Sequence, residues 1–281
     1  MTISVLIFDK KNNLFGSAGF THWPALGAIN SFIESGSGLV VTQANLNYAY
    51  GRNGLKAMKT LSPESAYRKI SNGDEKKESR QVALINSKGE KFSFTGSECM
   101  NFASHLIGED YIIQGNILSN EDVLKAADEA IKIGNSIEER MMNALKNALK
   151  AGGEVRGIQS AYIKINKINT EEDPYKELYL DLRVDESKEP LVELQRIIDI
   201  QVIYKKFEKA SDLFEEGQVA KSLMVFNEVL SSDFCTDEIR FWYGIMFSDT
   251  KEETMFDPKE LLKKLLKEKS WKELYSRMGL K

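Results

Sequence analysis

Val5-Leu6-Ile7-Phe8 and Val82-Ala83-Leu84-Ile85 are strand-length runs with no polar face. Strands apolar on both sides must be covered on both sides, which an antiparallel sheet with one wet face does not provide. The runs come in pairs with short polar turns between them. Lys10-Lys11-Asn12-Asn13 separates residues 2–9 from 14–20, and Ser35-Gly36-Ser37 separates 28–34 from 38–44. Asn86-Ser87-Lys88-Gly89 separates 80–85 from 91–95. Turns this short make antiparallel hairpins, not βαβ units.

Helical texture interrupts the hairpins twice. A short helix is expected over 54–58, and Ser62-Pro63-Glu64 caps the next, with proline at the first helical position. After a strand at 111–114, helices are expected over 120–133 and 136–150. The second carries Ile137, Met141, Leu145 and Leu149 at four-residue spacing and stops at Gly152-Gly153. Strands at 158–165 and 178–184 flank a charged loop, Glu171-Glu172-Asp173. The order predicts an α+β fold for residues 1–200: two stacked sheets with helices outside, a four-layer α-β-β-α sandwich.

From Pro190 onward the pattern is all helix, with a break at Gly217. Ala210, Leu213, Gly217, Ser222, Phe226, Val229-Leu230 and Asp233 fit a tetratricopeptide unit, and Gly244 stands one 34-residue period after Ala210. Residues 201–281 are therefore expected to form a small TPR-like helical domain, with Trp242, Tyr243 and Trp271 in its core. Such an appendage is a packing or protein-docking surface.

The net charge of −4 gives no reason to expect nucleic acid or an acidic membrane as partner. No apolar run reaches the ~18 residues of a bilayer span, and Cys99 and Cys235 are too far apart for a metal knuckle. Dinucleotide, Walker, H-E-x-x-H and G-x-S-x-G signatures are absent, so no cofactor or metal is expected. The chain reads as cytoplasmic and reduced.

Two features carry chemistry. Thr2 follows Met1, and trimming of Met1 would place an α-amine of pKa near ~8 beside the Thr2 hydroxyl, a self-contained base and nucleophile. Before Pro190 there are four glutamines, Gln43, Gln81, Gln114 and Gln159, and each abuts a predicted strand. Amides at apolar strand ends must be hydrogen-bonded, so they should form a connected network. Either this network stitches the two sheets together, or some of it lines a pocket that grips an amide or ureido group. Arg52, Arg156 and Arg183 stand near the same strand ends and are candidates to hold a carboxylate. His105 with Ser160 is a weaker hydrolytic pairing, with no acid placed by a motif.

Thr2-Ile3-Ser4, Gly38-Leu39-Val40-Val41-Thr42-Gln43-Ala44, Tyr50-Gly51-Arg52-Asn53-Gly54-Leu55, Arg80-Gln81-Val82, Phe94-Thr95-Gly96, Gln114-Gly115-Asn116, Gly152-Gly153-Glu154-Val155-Arg156-Gly157, Gln159-Ser160-Ala161 and Asp181-Leu182-Arg183-Val184-Asp185 occur in this order. Together they resemble domain-of-unknown-function family 1028, placed in the N-terminal-nucleophile (Ntn) hydrolase superfamily. The resemblance implies the α-β-β-α sandwich and a nucleophile at Thr2. It also implies departures. Residues 12–55 contain no lysine and no aspartate, whereas proteasome-like members supply both. Glu154 stands where the family pattern carries aspartate.

The expected function is hydrolysis of a small amide or a peptide, with Thr2 as nucleophile and its own amine as base. Arg52, or alternatively the Gln43-Asn45-Asn47 cluster, would substitute for the missing charges, with a backbone N–H as oxyanion donor. Gln81, Gln114, Asn116, Arg156, Gln159 and Ser160 would complete the substrate site. The alternative is a non-catalytic ligand-binding or assembly protein on the same fold, docking through its helical tail. A homo-oligomer is compatible with either.

Overall fold

The computed structural model describes residues 2–100, 102–169 and 177–280. Met1 and the Glu171-Glu172-Asp173 loop considered above lie outside them. The elements run β1 (Thr2–Asp9), β2 (Leu14–Thr21), α1 (Leu26–Ile29), β3 (Ser31–Glu34), β4 (Gly38–Ala44), α2 (Tyr48–Met58) and α3 (Pro63–Ser71). A short 3-10 turn at Lys77–Ser79 then leads to β5 (Arg80–Asn86), β6 (Lys91–Thr95), β7 (Ser104–Ile107), β8 (Tyr111–Asn116), α4 (Asp122–Ala130), α5 (Ile137–Lys150), β9 (Ser160–Lys167) and β10 (Leu178–Val184). Helices α6 (Pro190–Glu215), α7 (Val219–Leu230), α8 (Asp237–Phe247), α9 (Pro258–Leu265) and α10 (Lys269–Arg277) complete the chain.

All strand pairs are antiparallel, in a six-stranded sheet ordered β10-β9-β2-β1-β8-β7 and a four-stranded sheet ordered β3-β4-β5-β6. The lack of a polar face on β1 and β5 has a direct structural cause. Leu6, Phe8 and Phe15 of the larger sheet meet Leu39, Val41, Ala83 and Ile85 of the smaller one in a shared core. The alternate residues Val40, Val82 and Leu84 point the other way, into Tyr50, Leu55 and Met58 of α2 and Ala66 and Tyr67 of α3. On the larger sheet, α5 packs on β1 and β2, and α4 on β8. Each fully buried aliphatic side chain contributes about 1.5–3 kcal/mol of transfer free energy, so a strand covered on both faces gains at every residue.

Three local readings change. Residues 28 and 29 belong to a helical turn, and the strand expected from residue 28 begins at Ser31. Ala25 opens that turn at φ 55°, and a Cβ on Gly27 would lie 2.5 Å from Tyr162 Cβ on β9. A close tertiary approach therefore overrides the β-like run. Helix α2 starts six residues ahead of the expected helix, because the Asn47 side chain caps it through the Ala49 amide at 3.0 Å. Strand β7, short and partly exposed, was not expected.

The chain divides into compact units Met1–Gln195 and Arg196–Lys281, the division falling within α6. The second unit has its own core, built on Ala210, Phe226, Val229, Ile239, Tyr243 and Phe247. A smaller cluster there joins Phe241, Leu262 and Leu265 with Trp242 and Trp271. Gly217, at φ 75°, ends the long α6 run, and Ser222 Oγ donates to Ala210 O at 2.6 Å. No helix among the described residues is long and apolar enough to cross a membrane.

Candidate functional site

Strand periodicity sets the site. On β1, Leu6 and Phe8 face the smaller sheet, so Ser4 and Thr2 face it too. The same alternation turns Gln114 and Asn116 of β8, Gln43 of β4 and Gln81 of β5 into the space between the sheets. At this end the apolar core gives way to amides. Gln43, Gln81, Gln114 and Asn116 are all buried.

These groups are bonded to one another. Ser4 Oγ donates to Gln43 Oε1 at 2.8 Å, and Gln43 Nε2 donates to Gln81 Oε1 at 2.7 Å and to Thr2 O at 3.2 Å. Asn116 Nδ2 also donates to Gln81 Oε1, at 3.1 Å. Gln81 Nε2 reaches Thr95 Oγ1, Ser104 O and Gly115 O at 2.9, 3.0 and 2.9 Å. Thr95 Oγ1 is 2.8 Å from His105 Nδ1, and burial holds the His105 pKa below its ordinary value. Gln114 bonds weakly to Val41 O at 3.4 Å, while its Oε1 and the Oδ1 of Asn30 are buried without partners among the described residues.

A cavity of about 280 Å³ opens beside this network. Thr2, Thr21 and Gln43 supply its polar side, Leu26, Ile29 and Leu46 its apolar side, and His22, Trp23, Ala44 and Arg156 the rest. Thr2 Oγ1 is 3.1 Å from Thr21 Oγ1, its register partner on β2. His22 Nδ1 is buried without a hydrogen-bond partner among the described residues. Trp23 also lines the cavity and is 64% exposed, so it is not part of the core. Ala44 at φ 65° and Ala25 at φ 55° hold the wall in a left-handed conformation that a non-glycine residue adopts at a cost of about 1–2 kcal/mol.

The sequence-predicted residues divide into four groups. Thr2, Gln43 and Arg156 line the cavity, and Gln81, Gln114 and Asn116 form the network behind it. Ser160 supports the wall from outside: its hydroxyl donates to Trp23 O at 2.6 Å and accepts from Leu26 N at 3.3 Å. It is therefore committed to the 21–26 loop, and His105 is committed to Thr95. The remaining four do not line the cavity. Asn45 is exposed and bonds Ser79 Oγ at 3.1 Å, Asn47 caps α2, and Arg52 lies on the exposed side of α2. Gln159 takes part through its backbone, donating to Thr21 O at 2.8 Å. Thr21, His22, Trp23, Leu26, Ile29, Ala44 and Leu46 were missed. Their one sequence signal is Thr-His-Trp directly after a strand. A larger cavity of about 570 Å³ beside α4 contains none of the predicted residues.

Arg156 is paired. Its Nε and Nη2 fork onto the two carboxylate oxygens of Glu154, each at 3.0 Å, and the Glu154 side chain is fully buried. This pairing holds the Arg156 pKa above its ordinary value.

Two stacked antiparallel sheets with a cavity backed by an amide network at the start of the first strand define a mixed α+β protein with helices on the outer sheet faces. The chain belongs to the Family of unknown function (DUF1028), whose model matches residues 2–194. The crystal structure of protein SPO2555 from Silicibacter pomeroyi, of the same family model, is similar at 25% identity and a TM-score of 0.63, covering 70% of this chain and 84% of that one. Anbu (ancestral beta-subunit) from Yersinia bercovieri aligns at 12% identity and a TM-score of 0.38, covering 73% and 96%. No curated protein matches the chain.

Proposed function

We propose that the protein is an Ntn-type hydrolase of a small amide or peptide-like bond, with Thr2 as nucleophile once Met1 is removed. One observation carries the reading: the Thr2 hydroxyl lies at a cavity between two sheets, bonded to a neutral hydroxyl and backed by carboxamides. In the reaction, Thr2 Oγ1 bonds to the substrate carbonyl carbon and its proton passes to the α-amine. The C–N bond then breaks and the leaving amine takes that proton. Water cleaves the resulting ester by the same route, regenerating Thr2. Gln43 fixes the Thr2 carbonyl, which orients the first residue. The apolar wall of Leu26, Ile29 and Leu46 suits a small aliphatic or aromatic acyl group.

On this reading residues 1–200 form the Ntn-like α-β-β-α domain and residues 201–281 a TPR-like docking domain. A second reading, a non-catalytic binding or assembly protein, draws support from the cavity lining, which holds no lysine and no carboxylate among the described residues. Intact mass combined with a hydrolysis assay separates the two. The hydrolase reading expects a chain beginning at Thr2, turnover in a panel of acyl-amino acids and small amides, and no turnover by Thr2→Ala. A retained Met1, or equal turnover by Thr2→Ala, overturns it.

A further inference from the structure

The Arg156 guanidinium is a planar fork of N–H donors, and Glu154 occupies one edge of it. The Glu154 carboxylate accepts from Nε and Nη2, each at 3.0 Å, and from the Arg156 backbone amide at 3.1 Å. Nη1 and the second hydrogen of Nη2 have no partner among the described residues. Glu154 is fully buried while the Arg156 side chain is 50% exposed, so the pair is a fixed dipole with its positive end outward. Arg156 lines the Thr2 cavity, and the edge that Glu154 leaves open is the one that can grip a second carboxylate bidentately. A guanidinium locked from behind is pre-organised for such a ligand, because little side-chain freedom is left to lose. His22 is a second, independent observation. It lines the same cavity, and its Nδ1 is buried without a partner among the described residues, a desolvation cost that a bound ligand would relieve. Among the described residues no carboxylate lines the cavity to repel an anion.

We infer that Arg156 and His22 form an anion subsite of the Thr2 cavity, and that the small amide it takes bears a carboxylate, as an N-acyl amino acid does. The inference rests on the Thr2 reading for the amide bond, whereas the subsite is testable by binding alone. The two ends of such a ligand match the two sides of the cavity. Its carboxylate meets the open edge of Arg156 and the His22 ring, and its acyl group meets Leu26, Ile29 and Leu46. A volume of about 280 Å³ lies at the low end for small-molecule sites, so the ligand is small. Because Glu154 already balances the Arg156 charge, recognition comes from the geometry of the fork more than from net charge, and lysine is no substitute for it. Both residues set specificity and leave the acyl-transfer step to Thr2.

The test compares N-acetyl amino acids with their neutral carboxamides, pair by pair, by NMR titration of full-length Thr2→Ala protein, in which the probes survive. At least one acid should bind about ten-fold or more tighter than its amide, the scale of a charge-assisted bidentate contact. In the same background, Arg156→Lys should cut that preference to about three-fold or less, and His22→Phe should weaken acids several-fold more than amides. Removing Arg156 alone strands a buried carboxylate, so Arg156→Gln is combined with Glu154→Gln, and this double variant should bind acid and amide alike. A purely structural Arg156 would weaken both members of each pair equally and leave the preference intact. Equal affinity for every acid and its amide, or no detectable binding of any acid, overturns the inference. So does a preference that survives in Arg156→Lys or in the folded double variant. Preferential binding of acids with no hydrolysis by the unsubstituted chain would sink the enzyme reading alone. Hydrolysis of acidic and neutral amides at equal kcat/KM would sink this inference alone.

Discussion

Replacing Gln81 by leucine is the most informative perturbation of the amide network. Leucine is close in size, so the effect is on hydrogen bonding more than on packing. Gln81 Oε1 accepts from both Gln43 and Asn116, and its Nε2 serves Thr95, Ser104 O and Gly115 O. Gln43 keeps weaker contacts to Thr2 O at 3.2 Å and Gln114 O at 3.5 Å, and Thr95 keeps His105. Asn116 Nδ2 and the two strand carbonyls lose the Gln81 bond. At about 1–3 kcal/mol for each buried group left unpaired, Gln81→Leu should cost about 3–4 kcal/mol. Two compact units need not unfold together, so a single melting curve is a poor measure. Hydrogen exchange resolved over peptides 80–86 and 111–116 reports the local free energy. The double variant Gln43→Leu/Gln81→Leu should cost less than the two singles combined, since the facing amides leave together. A single-variant cost under about 1 kcal/mol, or strict additivity, would refute the account of these amides as one connected network.

Further expectations follow from other contacts. The Arg80 guanidinium, with the Tyr50 hydroxyl and the Lys76 amide, holds Asp74 well below the usual carboxylate range. Because the folded pKa is depressed, this contribution is full above the unfolded value of ~4 and is lost as pH falls below it. Urea titrations between pH 2 and pH 7 should show that loss, and Asp74→Asn should flatten it while costing about 3–5 kcal/mol at neutral pH. Ala44→Gly removes a left-handed strain at the cavity wall and should stabilise by up to about 1 kcal/mol, whereas Ala44→Val should destabilise; thermal melting distinguishes them. In the second unit, a Cβ on Gly244 would sit 2.9 Å from Leu262 Cβ and 3.1 Å from Pro258 O. Gly244→Ala should therefore cost about 1–3 kcal/mol, visible as earlier loss of helical circular dichroism.

The parts of the fold readable from sequence are those where one residue's chemistry forces a partner. Val5 to Phe8 and Val82 to Ile85 demanded cover on both sides and receive it. Glutamines at apolar strand ends demanded hydrogen bonds. Gln43, Gln81 and Gln114 meet because the β4–β5 register places Gln43 opposite Gln81 and β8 brings Gln114 across. Gln159 fits the same pattern but joins through its backbone only, because its strand begins one residue later. The cavity wall was not readable. Thr21 to Ile29 owe their course to Gly27 lying against Tyr162 and to Ser160 anchoring Trp23, contacts more than 130 residues apart in sequence. β7 was missed for a related reason. Ser104-His105-Leu106-Ile107 is four residues long and partly exposed, and only pairing with β8 makes it a strand. Among charged candidates, Arg52 was nominated by motif proximity alone, and the helix it sits on turns it outward.

The most direct test of the account is tandem mass spectrometry of the protein after exposure to a β-lactone, an acylating probe that needs both a hydroxyl nucleophile and a nearby base. The account predicts a single dominant adduct on Thr2 Oγ1, absent when the α-amine is first acetylated. Adducts scattered over other hydroxyls, or an unmodified first peptide, would contradict it.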